Sequence, residues 1–77
     1  MTEPLTWIET HAVIMKMLDK LDRCGYATHV FSRENYRDIL SILSMEPILQ
    51  HDRNVKTWIV VQEGIVTVRL RRRRRRE

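Results

Sequence analysis

At 77 residues, with 43% hydrophobic and 31% charged side chains, the chain has the composition of one small folded domain and is too apolar for intrinsic disorder. Its formal net charge is +4, yet residues 1–70 hold eight Lys/Arg against nine Asp/Glu, while residues 71–77 hold six arginines and one glutamate. The sequence pI of about 9.8 is therefore a property of a terminal heptapeptide, and the usual step from basic pI to basic fold fails.

A core this small yields a net stability of roughly 3–5 kcal/mol, so chains of this size often add a disulfide, a metal or a second subunit. Cys24 is the only cysteine, which excludes an internal disulfide and a thiol-rich zinc site. A homodimer or a partner-bound state remains, and a lone thiol suits a reducing compartment. The expected location is cytoplasmic, or nuclear in a nucleated cell. Met1 to Leu5 has no basic leader, and Glu9, His11, Lys16 and Asp19 interrupt any membrane-length apolar run.

The first element expected is a helix over residues 6–23. Thr6-Trp7-Ile8-Glu9 has capping-box form, with Thr6 accepting an amide hydrogen bond and Glu9 reaching back. Trp7, His11, Ile14, Leu18 and Leu21 recur at four-three spacing, and Ile8, Ala12, Met15 and Met17 widen the stripe enough to meet a sheet and a second subunit. Gly25 supplies a left-handed stop. Tyr26 to Phe31 then alternates as a strand, with Tyr26, Thr28 and Val30 on one side and Ala27, His29 and Phe31 on the other. Ser32 is an N-cap candidate for a helix from Arg33 to about Met45, whose apolar side is expected at Tyr36, Ile39, Leu40 and Leu43. Pro47 ends that helix near Glu46.

Residues 47–51 fit a short strand or one helical turn, and Asp52-Arg53-Asn54 has turn composition. Lys56 to Gln62 and Ile65 to Leu70 form two β-rich runs about Glu63-Gly64, a tight hairpin with Gly64 at positive φ. Placing Gln62 opposite Ile65 sets Val61 against Val66, Ile59 against Val68 and Thr57 against Leu70. The other face then pairs Val60 with Thr67 and Trp58 with Arg69; a one-residue slip would exchange the faces.

The architecture expected is α+β: two helices packed on a small antiparallel sheet that ends in a β-hairpin. Residues 1–70 make the single compact domain, and residues 71–77 make an arginine-rich tail, disordered or extending the last strand. The order of elements is similar to the winged-helix layout, in which a hairpin wing follows the helices. That alternative would need its third helix from Pro47 to Arg53, a short stretch that begins at a proline.

Arg71, Arg72, Arg73, Arg74, Arg75 and Arg76 are the strongest chemical feature. Guanidinium groups match phosphate oxygens with paired donors and repel one another until a polyanion compensates them. Six duplex phosphate contacts would give a log–log salt slope of about −5, with little sequence information. A solubilising tail, a strip that docks on an acidic protein and a localisation signal are the other readings of such a run. Terminal Glu77 and the smooth Val68-Arg69-Leu70 lead-in argue against an appended tag. Trp58 opposite Arg69 can stack on an unpaired base, or simply pack against its neighbours. Lys56 lies close by. Arg33 and Arg37 share a helix face that could position phosphates, although Glu34 and Asp38 interleave with them.

His11, His29 and His51 have no metal-ligand spacing, and with glycine only at positions 25 and 64 there is no phosphate-binding loop. No cofactor and no catalytic residue is expected. The function expected is a small non-enzymatic nucleic-acid-binding accessory or regulatory protein, for DNA or RNA, whose arm also suits an assembly subunit packaging nucleic acid. The alternative is a protein–protein module, an inhibitor or adaptor whose tail docks on an acidic surface.

Overall fold

A computed structural model of the chain describes residues 3–47, 49 and 54–73. Helix α1 spans Trp7–Cys24, strand β1 Tyr26–Ser32, a 3-10 turn Arg33–Asn35, helix α2 Tyr36–Met45, strand β2 Val55–Gln62 and strand β3 Ile65–Arg72. Two helices pack on a three-stranded antiparallel sheet that closes with a hairpin, an α+β fold.

The start of α1 is set by its capping box. Thr6 Oγ1 accepts from the Glu9 backbone N–H at 3.1 Å, and Glu9 Oε1 accepts from the Thr6 N–H at 3.0 Å. That backbone donor, with the Thr6 hydroxyl, holds the Glu9 carboxyl below its ordinary pKa. Gly25 ends the helix at φ +83°, in the left-handed region where a side chain is strained.

Strand order is β1-β3-β2, so the last strand in sequence is central. The hairpin has the register expected from its apolar pattern, with Gln62 opposite Ile65, Trp58 opposite Arg69 and Thr57 opposite Leu70. Across the other edge of β3, Ala27 faces Leu70, Thr28 faces Arg69 and Phe31 faces Val66. Ala27, Phe31, Val66, Val68 and Leu70 therefore share the inner face, where they bury against Ile14, Met17, Leu18 and Leu21 of α1 and Ile39, Ile42 and Leu43 of α2. His29 occupies the same face of edge strand β1, its ring tilted against Phe31 at 4.7 Å, and partial burial pushes its pKa below the usual value.

The second helical stretch differs from expectation in two ways. Arg33 to Asn35 form a 3-10 turn capped by Ser32, and the α-helix begins only at Tyr36. Its buried side is Ile39, Ile42 and Leu43, while Tyr36 and Leu40 remain at the surface. Both stripes have helical spacing, and the position of α1 selects between them. In α1 the stripe loses its first members: Trp7 and Ile8 are exposed, and Trp7 stacks on His11 at 5.3 Å. Pro47 and Leu49 have helical backbone. Residues 48 and 50–53, including Arg53 and the rest of the third-helix segment, lie outside the described residues.

Candidate nucleic-acid interface

The face of the sheet turned away from the helices is built by alternation. Register places three rows on it: Tyr26, Arg71 and Lys56; then Thr28, Arg69 and Trp58; then Val30, Thr67 and Val60. Helices cover only the opposite face, so these side chains stand in the open. Trp58 is 42% and Tyr26 57% exposed. None of the three strands contains a carboxylate. The outer face thus carries Lys56, Arg69 and Arg71 without an acid, while Lys16, Lys20, Arg23, Arg33 and Arg37 share the helices and the 3-10 turn with carboxylates.

Lys56 lies directly across from Arg71, and Arg69 is the next side chain along the same face of β3. Like charges placed opposite each other in a sheet repel, and a bound anion would relieve the repulsion. Tyr26, Thr28, Lys56, Trp58, Arg69 and Arg71 line an open groove of about 930 Å³, with Arg72 and Arg73 at its end. By strand spacing and rise, Tyr26 and Trp58 are about 12 Å apart on either side of the β3 arginines. The Lys20 ammonium lies 5.4 Å from the centre of the Tyr26 ring, adding a cation at the rim and leaving Trp58 the freer stacking surface.

The residues singled out from sequence divide accordingly. Lys56, Trp58, Arg69 and Arg71 meet in the groove. Strand β3 continues through Arg72, so the first two arginines of the run are part of the sheet. Arg72 points to the helix side, where its guanidinium bonds to Asp22 of α1 at 2.6 Å. The Arg73 backbone donates to the Asn54 carbonyl, which holds the chain beside β2 one residue further. Arg74, Arg75 and Arg76 lie outside the described residues.

Arg33 and Arg37 are not brought to the groove. The Arg33 backbone bonds to Gly64 at 3.2 Å, which puts it at the hairpin-turn end of the sheet, about 20 Å along β3 from Arg71. Arg37 is carried on α2, on the helix layer. Tyr26, Thr28 and Lys20 belong to the site and carry no local signal for it. They enter only because β1 pairs with β3, a contact between segments some forty residues apart.

Among the described residues, no cluster of three or more His, Cys, Asp or Glu could hold a metal ion. No helix among them is long and apolar enough to cross a membrane. Comparison with protein-family models, curated proteins and solved structures finds no match, so function has to be argued from the chain's own geometry.

Proposed function

We propose that the chain is a non-enzymatic nucleic-acid-binding accessory protein that takes its ligand on the open face of the sheet and along the arginine arm. The observation that carries this reading is the outer face itself: Trp58 and Tyr26 flank Arg69 and Arg71, with Lys56 alongside and no carboxylate in any strand. Aromatic rings offer a stacking surface to any unpaired base, and the guanidinium groups offer paired donors to the phosphates that join bases. Arg73 and the three arginines that follow it in sequence add positive charge for further phosphates. Such a site binds with little sequence preference, which suits an accessory or regulatory role. The exposed Cys24 thiol suits a reducing, cytoplasmic setting.

The test is fluorescence anisotropy with labelled single-stranded and duplex oligonucleotides over a salt series. Arg74, Arg75 and Arg76 changed together to Ser should flatten the log–log salt slope by about 2 to 3, at about 0.7–0.9 for each phosphate no longer neutralised. Trp58→Ala should weaken single-strand binding by about 1–3 kcal/mol and leave the salt slope in place. Wild-type protein that binds neither oligonucleotide at low salt would overturn the reading in favour of a protein-docking module.

A further inference from the structure

Strand β2 is the outlier of the sheet. Five of its eight residues are apolar, Val55, Trp58, Ile59, Val60 and Val61, yet none is buried. By contrast β1, the other edge strand, buries Ala27 and Phe31. Strand β2 pairs with β3 alone among the described residues, over an unbroken register from Val55–Arg72 to Gln62–Ile65. It has no proline, no glycine and no bulge. Its one charge, Lys56, points to the outer face instead of blocking the edge. Those are the features by which an edge strand normally resists pairing, and β2 lacks nearly all of them.

The hydrogen-bond phase identifies the groups left over. The Arg72 N–H bonds to Gly25 on the β1 side at 2.8 Å, whereas the Arg73 N–H bonds to Asn54 on the β2 side. Carried down the ladder, this alternation gives Lys56, Trp58, Val60 and Gln62 as the β2 residues whose backbone groups bond to β3. Val55, Thr57, Ile59 and Val61 direct their N–H and C=O groups to the open edge. A further strand laid along that edge would satisfy the whole row at once.

We propose that this edge pairs with β2 of a second copy of the chain, antiparallel across a twofold axis, joining two three-stranded sheets into one of six. The strand is self-complementary about Ile59. In that register Ile59 faces its own counterpart and Thr57 faces Val61 on the inner side. On the outer side Trp58 faces Val60 and Lys56 faces Gln62. Apolar residues meet apolar or Thr side chains on both faces, aromatic meets β-branched, and no like charges are opposed, despite the positive charge of each copy. A twofold pairing also makes the two outer faces continuous, with both Trp58 rings near the centre.

Sedimentation equilibrium from micromolar to millimolar protein, combined with amide hydrogen exchange, tests the pairing without nucleic acid. The expected species has twice the 9.3 kDa chain mass. In it the Thr57, Ile59 and Val61 amides should exchange slowly, and faster on dilution, while those of Trp58 and Val60 stay protected throughout. Thr57→Pro removes an edge N–H that β3 does not use and should leave a folded monomer at every concentration. A wild-type monomer across the whole range would overturn the proposal. So would a dimer whose Thr57, Ile59 and Val61 amides exchange freely, since it would be joined through another surface. Neither result bears on oligonucleotide binding by the outer face.

Discussion

Asn35 does more for this fold than its polar character suggests. It is 2% exposed at the junction between the 3-10 turn and α2, and its amide makes a two-way clasp with the backbone of Leu5. Its Oδ1 accepts from the Leu5 N–H at 2.9 Å and its Nδ2 donates to the Leu5 carbonyl at 2.7 Å. The side chain thus stands in for a strand partner and ties the segment before α1 to the start of α2. Thr10 acts similarly nearby, fully buried with its hydroxyl donating to the Thr6 carbonyl at 2.9 Å. Replacing Asn35 by Ala leaves both Leu5 groups unsatisfied in a poorly solvated place. Denaturant unfolding should show a loss of about 1–3 kcal/mol, with oligonucleotide binding at the distant outer face unchanged. The Arg72–Asp22 pair is different in kind, being partly exposed on both sides, and orients the end of β3 more than it stabilises the fold.

At the scale of elements, two glycines control direction. Gly25 turns the chain from α1 into β1, and Gly64 turns it from β2 into β3, at φ +83° and +77°. A Cβ at either position would meet nothing within 4 Å, so the cost of substitution is backbone strain alone. Gly64→Ala should lower the thermal midpoint by an amount equivalent to about 1–2 kcal/mol, and Gly64→Asn by clearly less, because Asn tolerates the left-handed region. Equal losses in the two variants would show that something other than φ is at stake. The same turn holds the hairpin register, and the register holds the site. A slip of one residue between β2 and β3 would set Trp58 opposite Val68 or Leu70, on the other face from Arg69 and Arg71, and the site would be split. The helices read cleanly at their ends because Thr6, Glu9 and Gly25 act locally. The rotation of α2 did not, because Tyr36, Ile39, Leu40 and Leu43 and the observed Ile39, Ile42 and Leu43 are equally good helical stripes.

On the scale of the whole molecule, a single core serves every element. Ile14 of α1 has no solvent exposure and belongs to the core cluster shared by both helices and the sheet. Ile14→Ala removes about 2–5 kcal/mol, comparable with the roughly 3–5 kcal/mol expected for a domain of this size. Circular dichroism should therefore show this variant largely unfolded at ambient temperature, while Trp58→Ala on the outer face stays folded. The capped helix, the alternating strands, the hairpin register and the position of the arginine run were all determined by sequence alone, since each depends on residues within a few positions of one another. Tertiary structure decided that β3 is central, that Tyr26 and Thr28 flank Arg69 and Arg71, that Arg33 and Arg37 lie elsewhere, and that β2 is left as an edge. The physical reason is that strand order is chosen by how the whole set of apolar faces can be buried beneath two helices. No local pattern encodes that choice, and here it separates a cationic outer face from a body whose summed charge is close to zero.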